Sequence, residues 1–209
     1  VTNTLTGLAC AWTDSIPLLV IAGQVDSRTM MHHGSSVRQL GISEVDGVEL
    51  TKPITKYAAV VSRPEDIRHH LEMAAHLAKK GRPGPVYLEI PLDVQVATID
   101  PKNLVGAVIA NSSLVPNVAA DCYDDLARSE RPVFLVGNGV HLAGAESSFQ
   151  GLLDFGIPIL TSWNASDLIS SEHECCIGRP GIIGDRAGNF AIQNADLIIA
   201  IGTRLSIPQ

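Results

Sequence analysis

Aromatic residues make up only 4% of this 209-residue sequence. No apolar run is long enough to cross a membrane; the longest, such as residues 18–22 and 197–201, are of strand length. Basic runs are equally short. Lys79-Lys80 is the longest, and 15 Lys+Arg against 22 Asp+Glu leave a formal net charge of -7. That balance disfavours nucleic acid or an anionic membrane as a partner. No charged segment followed by an apolar stretch opens the chain, so no signal peptide is read. The four cysteines (Cys10, Cys122, Cys175 and Cys176) form no C-x-x-C pair. They indicate neither a zinc site nor a disulfide framework and fit reduced thiols in a cytoplasmic protein. His32-His33 and His69-His70 have no cysteine or carboxylate at ligand spacing, and neighbouring side chains diverge, so no metal site is read there. There is no G-x-S-x-G and no supported Cys/His pair.

What is present is an α/β pattern. Thr2 or Asn3 caps a helix running to about Thr13, with Leu5, Leu8, Ala9 and Trp12 on one face. Residues 17–23 read as a buried-type strand. Residues 24–51 are polar and weakly periodic, too long for an idle connection. Pro64, Glu65 and Asp66 start a second helix, whose apolar face carries Ile67, Leu71, Ala74, Ala75 and Ala78. The turn at 81–85 then delivers a strand at 86–90, ended by Pro91. Residues 92–117 lack firm periodicity, and the linker is placed at 98–117, between domains at 1–97 and 118–209. Helices at 118–129, 143–155 and 187–194 alternate with strands at 133–137, 157–161 and 196–202. That alternation predicts a doubly wound parallel sheet. The chain starts at Val1 and stops at Gln209, just past a strand with no helix to cover it. The expectation is a sequence cut at both ends.

Three glycine-rich turns are candidate ligand sites. Gly137-Asn138-Gly139 follows a strand and precedes a helix, where glycines let backbone approach a phosphate; a tight turn with no ligand fits equally well. Gly202-Thr203-Arg204 ends the last strand, and Arg204 suits either a bidentate pyrophosphate contact or plain solvation. Gly178-Arg179-Pro180-Gly181, with Arg186 nearby, presents further cations. Arg82 sits in a rigid Gly-Arg-Pro-Gly-Pro turn. Glu44, Asp46, Glu49, Glu89 and Asp93 show no catalytic spacing, and Asp93 is read as ordering a strand end.

Several blocks occur in a recognisable order: 2–9, Asp14 to Leu18, Ile21-Ala22-Gly23-Gln24-Val25, Lys52-Pro53-Ile54-Thr55-Lys56, Gly81 to Pro85 and Pro91-Leu92-Asp93-Val94. This first part resembles the second half of the pyrimidine-binding domain of acetolactate-synthase-like, thiamine-diphosphate-dependent enzymes. Residues 131–161 and 178–205 resemble the central, Rossmann-like domain of the same family. The resemblance implies thiamine diphosphate with Mg2+ in the full-length protein, with the cofactor held between subunits of a homodimer or homotetramer. It implies decarboxylation of a 2-keto acid and transfer of the acyl carbanion equivalent to a carbonyl acceptor, the cofactor supplying the chemistry. The family's catalytic glutamate precedes the matched region and its magnesium motif follows it, so this chain alone is expected to be inactive. Gln39 matches an active-site glutamine and Arg82 a flavin-contacting arginine. Gly137, Asn138, Gly139, Ser162, Trp163, Arg179, Pro180, Gly202, Thr203 and Arg204 fall on turns that line a structural FAD in some members. Leu92 replaces a lysine, Asp26 a proline and Arg38 an aromatic residue of the family pattern. These departures surround the substrate approach and keep two alternatives open: a related decarboxylase or carboligase with another substrate, or a non-catalytic nucleotide-binding remnant.

Overall fold

A computed structural model describes residues 1–31, 36–109 and 119–206, and the chain divides into compact units at 1–114 and 115–209. In the first unit, a 3-10 turn leads into α1 (Leu5–Asp14), followed by β1 (Leu19–Gln24). Leu8 and Ala11 are the buried positions of α1, whereas Trp12 is 42% exposed, so the core-facing stripe differs from the one predicted. Ser15 ends the helix in the left-handed region, and the strand starts two residues later than proline placement suggested. Then come α2 (Gly47–Thr51), β2 (Tyr57–Val60), α3 (Ile67–Lys79), β3 (Val86–Pro91) and α4 (Leu92–Gln95). Pro91 is the last residue of its strand and pairs in register with Gln24.

The three strands are parallel in the order β1-β3-β2. β3 is central, which explains its unbroken apolar reading: Val86, Tyr87 and Leu88 are fully buried. Ala74 and Ala78 of α3 pack on Val86 and Leu88, joined by Leu71, Tyr57 and Ala59. The small alanines let the helix approach the sheet closely. Residues 104–107 lie against α3, since Glu72 accepts the Ala107 N–H at 2.8 Å. Part of the segment read as linker therefore packs with the first unit.

In the second unit, α5 (Ala119–Arg128) leads to β4 (Pro132–Val136), α6 (Gly139–Leu142), α7 (Glu146–Leu153), β5 (Ile159–Thr161), β6 (Cys176–Gly178), α8 (Arg186–Asn194) and β7 (Leu197–Ile201). The helix predicted at 143–155 is shorter, α7 at Glu146–Leu153, and is preceded by the separate, unpredicted α6. Gly144 takes a left-handed conformation (φ 61°) between them, which only glycine adopts without strain. All four strands are parallel, in the order β6-β5-β4-β7. Phe134, Val136 and Ile159 face Phe149 of α7 and Leu126 of α5 on one side. Val133, Leu135 and Leu160 face Ala191 and Ile192 of α8 on the other. Helices thus cover both faces, and the unit is doubly wound as expected. Among the described residues no helix is long and apolar enough to cross a membrane.

Candidate functional site

Parallel pairing brings the carboxyl ends of β6, β5, β4 and β7 to one edge of the second sheet. Val136 lies opposite both Thr161 and Ile201, and Leu160 opposite Gly178. The residues immediately after these strands are Arg179, Ser162, Gly137 and Gly202. Every central-domain candidate therefore sits at this edge, where doubly wound folds bind ligands; Pro180, next to Arg179, is buried there. Trp163 is 54% exposed, and Arg179 and Arg204 are exposed on the same rim.

The glycines of the first turn have a structural task. Gly139 donates its N–H to the Gly202 carbonyl at 2.8 Å, and Gly137 donates to Ile201 at 2.8 Å. A Cβ on Gly137 would lie 2.5 Å from Gly202 O, and one on Gly139 would lie 2.6 Å from Gly202 Cα. Gly202 itself has φ 61°. The ends of β4 and β7 thus touch backbone to backbone at the point where the strand order reverses. These two N–H groups are occupied by protein, so a phosphate cradled by them does not fit.

Arg179 is braced rather than loose. Asp185 accepts from its backbone N–H at 3.0 Å and from Nε at 3.3 Å. The Arg179 backbone contact comes first in holding the Asp185 carboxyl below the usual range. Asn189 closes the same loop through paired bonds to Gly181 at 2.8 and 2.9 Å. The loop is therefore fixed while Arg179 itself stays exposed. Ser162 is buried, its N–H bonded to Val136 O at 2.8 Å, and positions Trp163 at the head of a 3-10 turn. Thr203 and Arg204 continue from Gly202, with the Leu205 N–H on Thr203 Oγ1 at 3.4 Å.

Gln39 and Arg82 belong to opposite ends of the first sheet. Arg82 precedes β3, and its Nε donates to the buried Ser15 Oγ at 2.7 Å. Lys56 Nζ donates to Arg82 O at 2.8 Å, and burial pushes the lysine's pKa down. Gln39 lies in the loop after the carboxyl end of β1, exposed, with Nε2 on Gly41 O at 2.7 Å. Nearby, Asp93 accepts from Ser27 N at 2.9 Å and from Ser27 Oγ at 2.5 Å, ordering the strand end as read from the sequence. Asp26 caps the 3-10 turn Ser27–Thr29, and the Arg28 side chain holds its pKa at about 2.

Three polar features lack any sequence signal. Glu44 is buried and accepts the N–H groups of Met31, Leu40 and Gly41, the last at 2.9 Å. Glu89, fully buried on β3, accepts from Tyr87 Oη at 2.7 Å beneath Gly47, and burial raises its pKa. His141 on α6 bridges two carboxylates. Only the fold reveals these, because their partners are 2 to 26 residues away with no common spacing. His32 and His33 lie outside the described residues. Among the described residues no group of three or more potential ligands could hold a metal ion.

Against this geometry, residues 119–208 match a family model described as "Thiamine pyrophosphate enzyme, central domain". That match covers most of the second unit. The likeness extends through the first unit as well. A probable acetolactate synthase large subunit of Methanocaldococcus jannaschii is 34% identical over 213 residues, which is 98% of this chain and 35% of that protein. The acetolactate synthase large subunits of Corynebacterium glutamicum and Lactococcus lactis are 36% and 31% identical over 97% of the chain. The chain spans about a third of the length of these relatives. The region matched by the family model holds the doubly wound sheet whose strand ends lead into Trp163, Arg179 and Arg204.

Proposed function

We propose that the chain supplies the pyrimidine-side and central portions of a thiamine-diphosphate-dependent enzyme that acts on a 2-keto acid. The observation that carries this reading is similarity to acetolactate synthase large subunits along 97–98% of the chain. The reaction expected of the whole enzyme is decarboxylation followed by transfer of the acyl carbanion equivalent to a carbonyl acceptor. Thiamine diphosphate with Mg2+ supplies that chemistry when bound. This chain's contribution is positioning. The Gln39 loop is organised by the buried Glu44, and the strand ends of the central domain offer a cationic, partly aromatic rim.

A nucleotide-type group such as FAD fits that rim better than it fits the glycine turn. In this reading Arg179 and Arg204 would meet its phosphates and Trp163 would stack on a ring. β1 is an edge strand with Leu19 and Ile21 39% and 54% exposed, which favours association of the whole enzyme into a homodimer or homotetramer. Leu92 is 54% exposed at the start of α4. An apolar side chain in place of the family's lysine favours a substrate or acceptor other than those of acetolactate synthesis itself.

The test is isothermal titration of thiamine diphosphate with Mg2+ into the 209-residue chain and into the protein expressed from its complete reading frame. Tight stoichiometric binding is expected only in the latter, accompanied by carbon dioxide release from pyruvate or another 2-keto acid. Failure of the complete protein to bind the cofactor would refute the proposal.

A further inference from the structure

His141 stands beside the strand-end rim and is used by nothing described so far. Its Nδ1 lies 3.0 Å from Glu146 Oε1 on α7, and its Nε2 lies 3.0 Å from Asp167 Oδ1, just beyond the 3-10 turn that holds Trp163. An ionised carboxylate only accepts hydrogen bonds, whereas a neutral imidazole carries one N–H and one lone pair. Both contacts are satisfied together only when both ring nitrogens carry protons. Glu146 and Asp167 are the charged groups acting on the ring. They reach it from the two elements it touches.

We propose that His141 is a positioning residue whose second proton ties the turn after β4, carrying Asn138, to the turn after β5, carrying Ser162 and Trp163. This rests on the proposal that these turns line a cofactor rim. Loss of that proton breaks one of the two contacts and leaves a lone pair facing a carboxylate, so the turns separate more readily as pH rises. Bonding to Glu146 first, and to Asp167 second, raises the histidine's pKa, in agreement with this geometry.

The chain itself suffices for the first measurement. Proton–carbon NMR of its histidines is followed against pH, with His141→Gln assigning the resonance. His141 should titrate above the ordinary value near about 6.5. Amide exchange of residues 138–143 and 162–168, after correction for intrinsic rate, should then rise about two- to fivefold between about pH 6 and about pH 9, the range expected for one part-exposed ion pair. His141→Arg keeps donors and charge at every pH and should abolish that rise, while His141→Gln should show fast exchange throughout. Titration of His141 at or below the ordinary value, or an exchange profile identical in wild type and His141→Gln, would overturn the proposal. FAD titration into the complete protein separates the two ideas. Absence of FAD binding at every pH refutes the nucleotide reading of the rim, while NMR and exchange still decide the tie.

Discussion

Replacing Gly139 by alanine tests whether the glycine turn exists for a phosphate or for the sheet. The added Cβ would meet Gly202 Cα at 2.6 Å, Gly202 O at 2.7 Å and Gly202 C at 3.0 Å. Carbon atoms pack comfortably at roughly 3.5–4.0 Å, so one backbone segment must move by about 1 Å. Neither can yield freely, because Gly137 and Gly139 are bonded to Ile201 and Gly202 at 2.8 Å. Overpacking costs about 1–3 kcal/mol and a strained or lost hydrogen bond about 1 kcal/mol. Up to about 1 kcal/mol is regained from alanine's better helix propensity. The net is a destabilisation of about 2 kcal/mol, which in a unit spanning residues 115–209 lowers Tm by about 8–15 °C. Gly151 is the internal control: it lies within α7 with nothing within 4 Å of an added methyl, so Gly151→Ala should raise Tm by about 4–8 °C. Thermal unfolding is followed by the fluorescence of Trp163 in a Trp12→Phe background, so that only the second unit reports. A Gly139→Ala protein as stable as its parent, with only ligand binding lost, would refute the packing argument and restore the phosphate turn.

Two further substitutions probe the first unit. Burial raises the pKa of Glu89, so the folded state retains a proton that the unfolded chain releases near its ordinary 4.5. Stability from this group is therefore complete below that value and declines as pH rises through the higher folded pKa. Glu89→Gln keeps an acceptor for Tyr87 and should remove that decline. Urea titrations at stepped pH would show it, and an unchanged pH dependence would count against a buried, protonated Glu89. Arg82→Ala deletes the bond to Ser15 Oγ and should lower the unfolding midpoint of the first unit by the equivalent of about 0.5–1.5 kcal/mol, read from Trp12 fluorescence. No change would mean that the arginine braces nothing and is free for a ligand.

The elements legible in the sequence are those with enough residues to show a period. Helix α3 is readable from Pro64, its acidic first turn and its alanine-rich stripe, and β3 from its continuous apolar run. Strands β2 and β6, of 4 and 3 residues, give no such signal, since so short a run has no periodicity and becomes a strand only by pairing with β3 or β5. Helix α2 is hidden in polar sequence and is set by Asp46, whose side chain accepts the Glu49 N–H. The break between α6 and α7 is marked by Gly144, although a single interior glycine is also tolerated in a continuous helix.

Local propensity and the order of motifs along the chain are enough to give the alternation of strands and helices, the doubly wound second unit and the family resemblance. What the motif residues do is settled by contacts between distant segments. Those contacts turn the phosphate-like glycines into a backbone junction between β4 and β7, set Arg82 against Ser15, and assemble the His141 bridge from residues up to 26 positions apart. Such roles depend on which atoms meet across strands and turns, and a one-dimensional pattern does not carry that distance information.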